Sequence, residues 1–423
     1  MRKMKDSGVE WIGEIPDKWQ TRNLFYLLSL IGSGTTPKGD EYYTGIGIPW
    51  LNTGDLNDGY IYSTNKYVSE NALNDYSALQ VYKPGSIVIA MYGATIGKLG
   101  LTEIELTTNQ ACCVMNTTKE MDRKILFYIL MTAKDYFIFL SYGAGQPNIS
   151  QKTIKHLKIP FANICEQKKI ANYLDTKCSK IDEIIEKQLS IIEKLKEYKL
   201  SIITEAVTSG INPDVEMKDS GSVWFGSIPI NWQMNRLKYV FHIQKDIAGE
   251  EGHTVLSITQ RGIIPKDFSN NEGQFANSYA NYQLVHKGDF AMNHMDLLTG
   301  WVDISKYEGV TSPDYRVFVL NDKNGMCPEY YLYMMQMCYS ARIFYGLGQG
   351  VSGMGRWRLQ ADKFLNFHIP IPPYDEQKII ADYITDKVNH IEVEIDKRNK
   401  LIEKYQEYKK SLIYEVVTGK KEV

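Results

Sequence analysis

The chain has 423 residues, 43% of them hydrophobic and 23% charged, which sets an expectation of two or three soluble globular domains. With 48 basic against 50 acidic side chains the formal charge is −2, which excludes a surface that is basic all round but not a local basic face. No apolar run reaches the roughly 18 residues that a membrane span needs, and the opening Met1-Arg-Lys-Met-Lys-Asp6 lacks the apolar core of a signal peptide, so a cytoplasmic protein is expected.

In chain order the first motif is Met4-Lys-Asp-Ser-Gly8, followed by Trp11, Gly13, Ile15, Pro16, Trp19 and Gln20. Polar turns come next, at Gly32-Ser-Gly-Thr-Thr-Pro37, Asn52-Thr-Gly-Asp55 and Asn57-Asp-Gly59. Ser86-Ile-Val-Ile-Ala-Met-Tyr92, bounded by Pro84-Gly85 and Gly93, reads as a buried strand. Ile125-Leu-Phe-Tyr-Ile-Leu-Met131 reads as the start of a helix packed on a sheet. Ile159-Pro160 reads as a strand or extended lead-in, because proline keeps the residue before it out of the helical region. Residues 1–158 are thus expected to form one mixed α/β domain.

Glu166 to Thr208 contains neither proline nor glycine. Apolar residues fall at Ile170, Leu174, Ile181, Ile184, Ile191, Leu195, Tyr198 and Ile202, with Lys177 and Gln188 filling two gaps. The spacing alternates four and three, as the seam of a coiled coil does. Gly210 and Pro213 supply the stop, so residues 159–213 are expected to form a helical spacer.

The chain is then written a second time, after an interval of about 210 residues. Met217-Lys-Asp-Ser-Gly221, Trp224, Gly226, Ile228, Pro229, Trp232 and Gln233 repeat the opening motif. Phe290-Ala-Met-Asn-His294 follows Lys287-Gly-Asp289 much as Ile87 follows Lys83-Pro-Gly85. Glu376-Gln-Lys378 repeats Glu166-Gln-Lys168, Glu407-Tyr-Lys409 repeats Glu197-Tyr-Lys199, and Val417-Thr418 repeats Val207-Thr208. Residues 214–368 are expected to be the second domain and 369–423 the second spacer, its looser seam running through Ile380, Ile384, Ile391, Ile395, Ile402, Tyr405 and Leu412 up to Gly419. A helix of this length spans about 65 Å and needs a partner face. The simplest partner is the other copy, and a pseudo-two-fold then makes the pair antiparallel.

The fold class expected is therefore α+β: two mixed α/β domains joined by two long helices in an antiparallel coiled coil, with a pseudo-two-fold internal repeat. The repeat is dense at the ends of each half and thin between, where only Tyr142-Gly-Ala-Gly-Gln146 and Tyr345-Gly-Leu-Gly-Gln349 match visibly. Drift alone would blur ends and middles alike. The pattern instead implies one symmetric scaffold carrying two different versions of one job.

The middles hold polar, aromatic-rich loops, and aromatic residues make up 12% of the chain. Asn and Gln favour adenine in the major groove, and Arg and Lys favour guanine. On that chemistry the candidate base readers are Lys38, Tyr42, Asn52, Thr95, Asn109, Gln110, Gln146 and Asn148 in the first half. In the second they are Thr259, Gln260, Arg261, Asn293, His294, Arg316, Gln349, Arg356 and Arg358. An active site is not legible. Gly93-Ala-Thr-Ile-Gly97-Lys98 has one residue too few for a phosphate loop, and Leu99 stands where Ser or Thr is required. Gly346-Leu-Gly348 and Gly353-Met-Gly355 read as turns. No Asn/Asp-Pro-Pro-aromatic methyltransferase motif occurs. The six cysteines lack metal-site spacing and read as reduced structural thiols, and no metal is expected.

The paired Met-Lys-Asp-Ser-Gly…Trp-x-Gly-x-Ile-Pro…Trp segments and the paired Glu-Gln-Lys helices resemble the specificity subunits of type I restriction–modification enzymes. So do Gly34-Thr-Thr-Pro37 with Trp50 and Gly54-Asp55, and Asn109-Gln110-Ala111. The resemblance covers nearly the whole chain. It implies two target-recognition domains reading an asymmetric bipartite site in double-stranded DNA, with no catalysis by this chain. It also implies two methyltransferase subunits holding S-adenosylmethionine, and restriction subunits that use ATP and Mg for translocation. It carries over no residue-level contacts. The residues alone leave an alternative open: a non-catalytic coiled-coil adaptor with two protein-binding heads.

Overall fold

The computed structural model describes residues 2–141, 148–267, 278–350 and 357–423. The chain divides into two compact units, one of residues 1–188 with 400–423 and one of residues 189–399. Each unit takes one globular half together with part of each long helix.

In the first unit Met4–Asp6 and Glu14–Pro16 form a hairpin whose tip uses Gly8 and Gly13, both at positive φ. Gln20–Asn23 then pairs antiparallel with Lys158–Phe161, so the strands on either side of the variable stretch close it at its base. The main sheet runs, in spatial order, Leu28–Gly32, Cys112–Thr117, Ile87–Ala90, Leu99–Thr102 and Gly59–Ile61, only the last pairing being parallel. Side chains alternate across it. Ile87, Ile89, Cys113 and Met115 face the helix Arg123–Thr132, which Asp122 caps, and join its Leu126, Ile129 and Leu130 in one core. Val88, Ala90, Cys112 and Val114 face a second core with Leu51, Leu56 and Ile61. The strand is buried on both faces, which is why Ile87-Val-Ile-Ala90 shows no polar alternation.

The second unit repeats this plan. Met217–Asp219 and Ser227–Pro229 form the hairpin, and Gln233–Arg236 pairs with His368–Ile371. The sheet order Phe241–Gln244, Arg316–Leu320, Phe290–Met292, Val302–Ile304 matches the first four strands of the other unit. Phe290, Met292, Phe318 and Leu320 pack with the helix Pro328–Ser340, while Ala291 and Val317 face Leu256, Ile258 and Ile263. Gly346 lies inside a short helix, Ile343–Leu347, rather than in a turn. Gly353 and Gly355 lie outside the described residues.

The long helices are Ile164–Ser209, within two residues of the Glu166–Thr208 segment read from the sequence, and Tyr374–Val417, which closes two residues short of Gly419. The repeated Glu-Gln-Lys motif has a physical cause. Gln167 is buried, donates to the carbonyls of Glu120 and Ala162 and accepts from the Asp122 N–H, tying the helix start to the domain it leaves. Gln377 is buried likewise, donating to the Pro372 carbonyl and accepting from the Cys327 N–H.

Within each unit the helix segments run antiparallel. In the first, Trp19 donates to Glu166 at the start of one helix while a Cβ on Gly419, just past the end of the other, would meet Pro16 and Trp19. Further along, Lys409 pairs with Asp182 at 2.7 Å. In the second unit Gly210, past the end of the first helix, faces Trp232 and Glu376, and Lys199 pairs with Glu392 at 2.5 Å.

The seam holds at Ile170, Leu174, Ile181, Ile202, Ile380, Ile384, Ile391, Ile395, Ile402 and Leu412, which are buried, and at Ile184, Ile191, Leu195 and Tyr405, which are half-buried. Tyr198 departs from it, being 56% exposed. A helix has 3.6 residues per turn, so a 3.5-residue pattern drifts by about 20° per heptad. By the later turns the buried stripe has moved one residue on, to Ile192, Ile203 and Ala206. Earlier in the helix Cys178 is buried beside the exposed Lys177, which only fills a gap in the apolar pattern.

Candidate nucleic-acid interface

In the first unit backbone bonds gather several loops at one end of the sheet. The Asn109 N–H donates to the Leu51 carbonyl, the Met91 N–H to the Ala111 carbonyl and the Ile149 N–H to the Met91 carbonyl. Tyr92 bridges to Asn148, Thr95 donates to the Tyr92 carbonyl, and Thr36 donates to the side chain of the exposed Gln110 at 2.7 Å. Thr95, Asn109, Gln110 and Asn148 thus share one loop cluster, joined by Tyr92 and Thr36, which the sequence reading had not counted as readers. Lys38 and Tyr42 form a separate group around Tyr76: the Lys38 N–H donates to its hydroxyl, and Tyr42 packs edge-on against its ring. Tyr42 donates to Asp75 at 2.8 Å, and that hydrogen bond holds its pKa up, at about 12, so the phenol stays neutral. The Asn52 side chain accepts from the Gly54 N–H in a capping box with Asp55, so its amide oxygen is occupied by the turn. Gln146 lies outside the described residues.

In the second unit Thr259, Gln260 and Arg261 make the tip of the hairpin Leu256–Thr259/Gly262–Pro265, where Thr259 accepts from the Arg261 N–H and Arg261 is exposed. Asn293 closes a turn by accepting from the N–H groups of Met295 and Asp296. Gln349 pairs with Arg358 in a short ladder and accepts from Gln360. Arg356 lies outside the described residues.

His294, Arg316 and Arg358 come together. They line a cleft of about 450 Å³ with Lys245, among other residues. Arg316 opens its strand opposite Met292 and is only 5% exposed. Its Nη2 donates to the Leu359 carbonyl at 2.9 Å, and its guanidinium lies over the Phe364 ring. The Leu359 N–H in turn donates to the His294 carbonyl. No ion pair joins Arg316 to a carboxylate among the described residues, although burial makes its charge costly. His294 is 7% exposed, and its Nδ1 has no partner among the described residues. Burial first, then the charges of Arg316 and Arg358, hold its pKa down at about 3.

That shift predicts a pH dependence. Above about pH 6.5 the ring is neutral folded and unfolded, and its contribution to stability is complete. As pH falls the unfolded state binds the proton first, so stability is lost down to about pH 3. His294→Gln is expected to flatten the loss of unfolding free energy between pH 6.5 and pH 4, measured by urea denaturation; an unchanged slope would refute the assignment.

The equivalent strand of the first unit opens on Cys112, buried among apolar side chains whose burial pushes its pKa up. One sheet plan therefore carries different chemistry at corresponding ends. Lys245 escaped the sequence reading, since nothing in its neighbourhood marks an exposed lysine beside a buried arginine. Among the described residues no helix is long and apolar enough to cross a membrane, and no cluster of metal-ligating side chains occurs.

Comparison with known proteins agrees with this duplicated plan. The family model for the type I restriction modification DNA specificity domain matches residues 16–194 and again 229–404. The specificity subunit of the type I restriction enzyme MjaVIII of Methanocaldococcus jannaschii is 26% identical over 96% of this chain and 93% of its own length. That of MjaIX from the same organism is 30% identical over 44% of this chain and 43% of its own. A solved structure described as the structural basis underlying complex assembly and conformational transition of the type I R-M system covers 95% of this chain and 98% of its own, with a TM-score of 0.68 at 13% identity. Two matches to one family model, laid over two copies of one sheet plan, make this chain a member of the type I restriction–modification specificity-subunit family.

Proposed function

We propose that the chain reads an asymmetric, bipartite DNA site, one half by each globular domain, and performs no catalysis itself. The observation that carries this is the contrast between repeated base and divergent tip: the closing strands and sheet order are the same in both units, while the loops at the sheet ends differ. Loop side chains would meet base edges in the major groove, with phosphate contacts fixing the register. The long helices would act as a spacer of fixed length between half-sites. Their outer faces, rich in lysine and glutamate, would bind two methyltransferase subunits. Those partners would hold S-adenosylmethionine and flip out an adenine in each half-site for methylation. Restriction subunits using ATP and Mg would join the same complex, in the cytoplasm.

The test is a genome-wide map of methyladenine in cells with and without the gene. Loss of one bipartite motif on deletion is the expected result. An unchanged map, with the purified chain and its methyltransferase retaining no DNA selectively, would favour a protein-binding adaptor.

A further inference from the structure

We propose that the cleft formed by Lys245, His294, Arg316 and Arg358 seats a backbone phosphate of the duplex and reads no base. The inference rests on the DNA-recognition reading and assigns this one site within it. Three cationic side chains line the cleft, and none of its lining residues is acidic. Arg316 is held in its wall without an ion-pair partner among the described residues, and a buried, uncompensated cation is costly until an anion arrives. His294 adds an unpartnered Nδ1 that is more than nine-tenths buried. Its neutral ring adds a polar wall to the cleft that carries no negative charge.

A phosphate fits better than a base edge for a geometric reason. Guanine is read by an arginine that extends two free donors in a fork. The fork of Arg316 is already engaged, with Nη2 on the Leu359 carbonyl, Nη1 3.9 Å from the Met292 sulfur and the plane over Phe364. What it still offers is fixed positive charge in a recess. Lys245 and Arg358 are exposed and complete the clamp from outside.

The test uses the full chain assembled with its methyltransferase partner on a duplex bearing its site. A single neutral methylphosphonate is walked along the second half-site and its flanks, for the wild type and for Arg358→Gln and Lys245→Gln, both exposed changes. In the wild type one position is expected to weaken binding by about tenfold, as loss of a charge-assisted contact does. In the variants that position should lose its effect while others keep theirs, the slope of log affinity against log salt should fall by about 1, and the methylated motif should not change. A methylphosphonate profile that the variants leave unaltered would overturn the proposal. So would relaxed methylation at one base pair of the second half-site, which is the signature of base reading. If the wild-type complex does not prefer its own site over unrelated duplex, the recognition reading fails first, before any variant is compared.

Discussion

Deleting one heptad from each long helix, residues 186–192 and 396–402, is expected to shorten the unspecified spacer of the methylated motif by up to about three base pairs and to leave both half-sites unchanged. The removed rise is about 10 Å per helix at 1.5 Å per residue, and base pairs are spaced about 3.4 Å apart. Seven residues nearly preserve the helical phase, with about 20° of error, so the remaining apolar stripe still meets its partner. Removing both segments together matters, because each lies near the middle of its helix and the packing in each unit is antiparallel. Rotation opposes the change: three base pairs turn the duplex by about 100°, so affinity should fall as well. Sequencing of methylated sites separates the outcomes. Altered half-sites at constant spacer length would refute the ruler.

Trp232→Ala should produce the largest loss of stability in the second unit. The indole is fully buried and sits in the core that also holds Ile203, Ala206 and Val207 from the end of the first long helix. Truncation of a buried tryptophan costs about 3–5 kcal/mol, which for a unit of this size lowers the melting point by about 10 °C. A second pair of variants separates packing from hydrogen bonding. Trp232 Nε1 finds no acceptor among the described residues, whereas Trp19 donates to Glu166 at 3.0 Å, a carboxylate that Arg2 also binds. Trp19→Phe loses a charge-assisted bond that Trp232→Phe does not, so it should cost about 2 kcal/mol more. Equal losses in denaturant titrations would refute the distinction.

The helices were legible because a 44- or 46-residue segment with an apolar stripe and no breaker has few other solutions. The base of each unit was legible because it is written twice. The exposure of Tyr198 and the burial of Ile192 and Ile203 were not, since sequence spacing does not say whether a helix pair supercoils enough to cancel its drift. At the site, His294 and Arg316 stood out as residue types, but their burial depends on a strand register that only three dimensions supply. Asn52 and Asn293 show the converse. Asparagine serves base reading and turn closure with the same amide, and here both side chains accept hydrogen bonds from local backbone.

The way each unit is assembled from the chain has a consequence on the ribosome. Residues 189–399 are one continuous segment, so the second unit can close without the residues that follow it. The first unit cannot. Its core needs Leu412, Ile413, Val416 and Val417, and Tyr414 donates to the Ile12 carbonyl, so its hairpin waits for residues about 400 positions later in the chain. The nascent N-terminal half leaves apolar surface uncovered throughout that interval, and a stalled or truncated product would present it to chaperones and proteases.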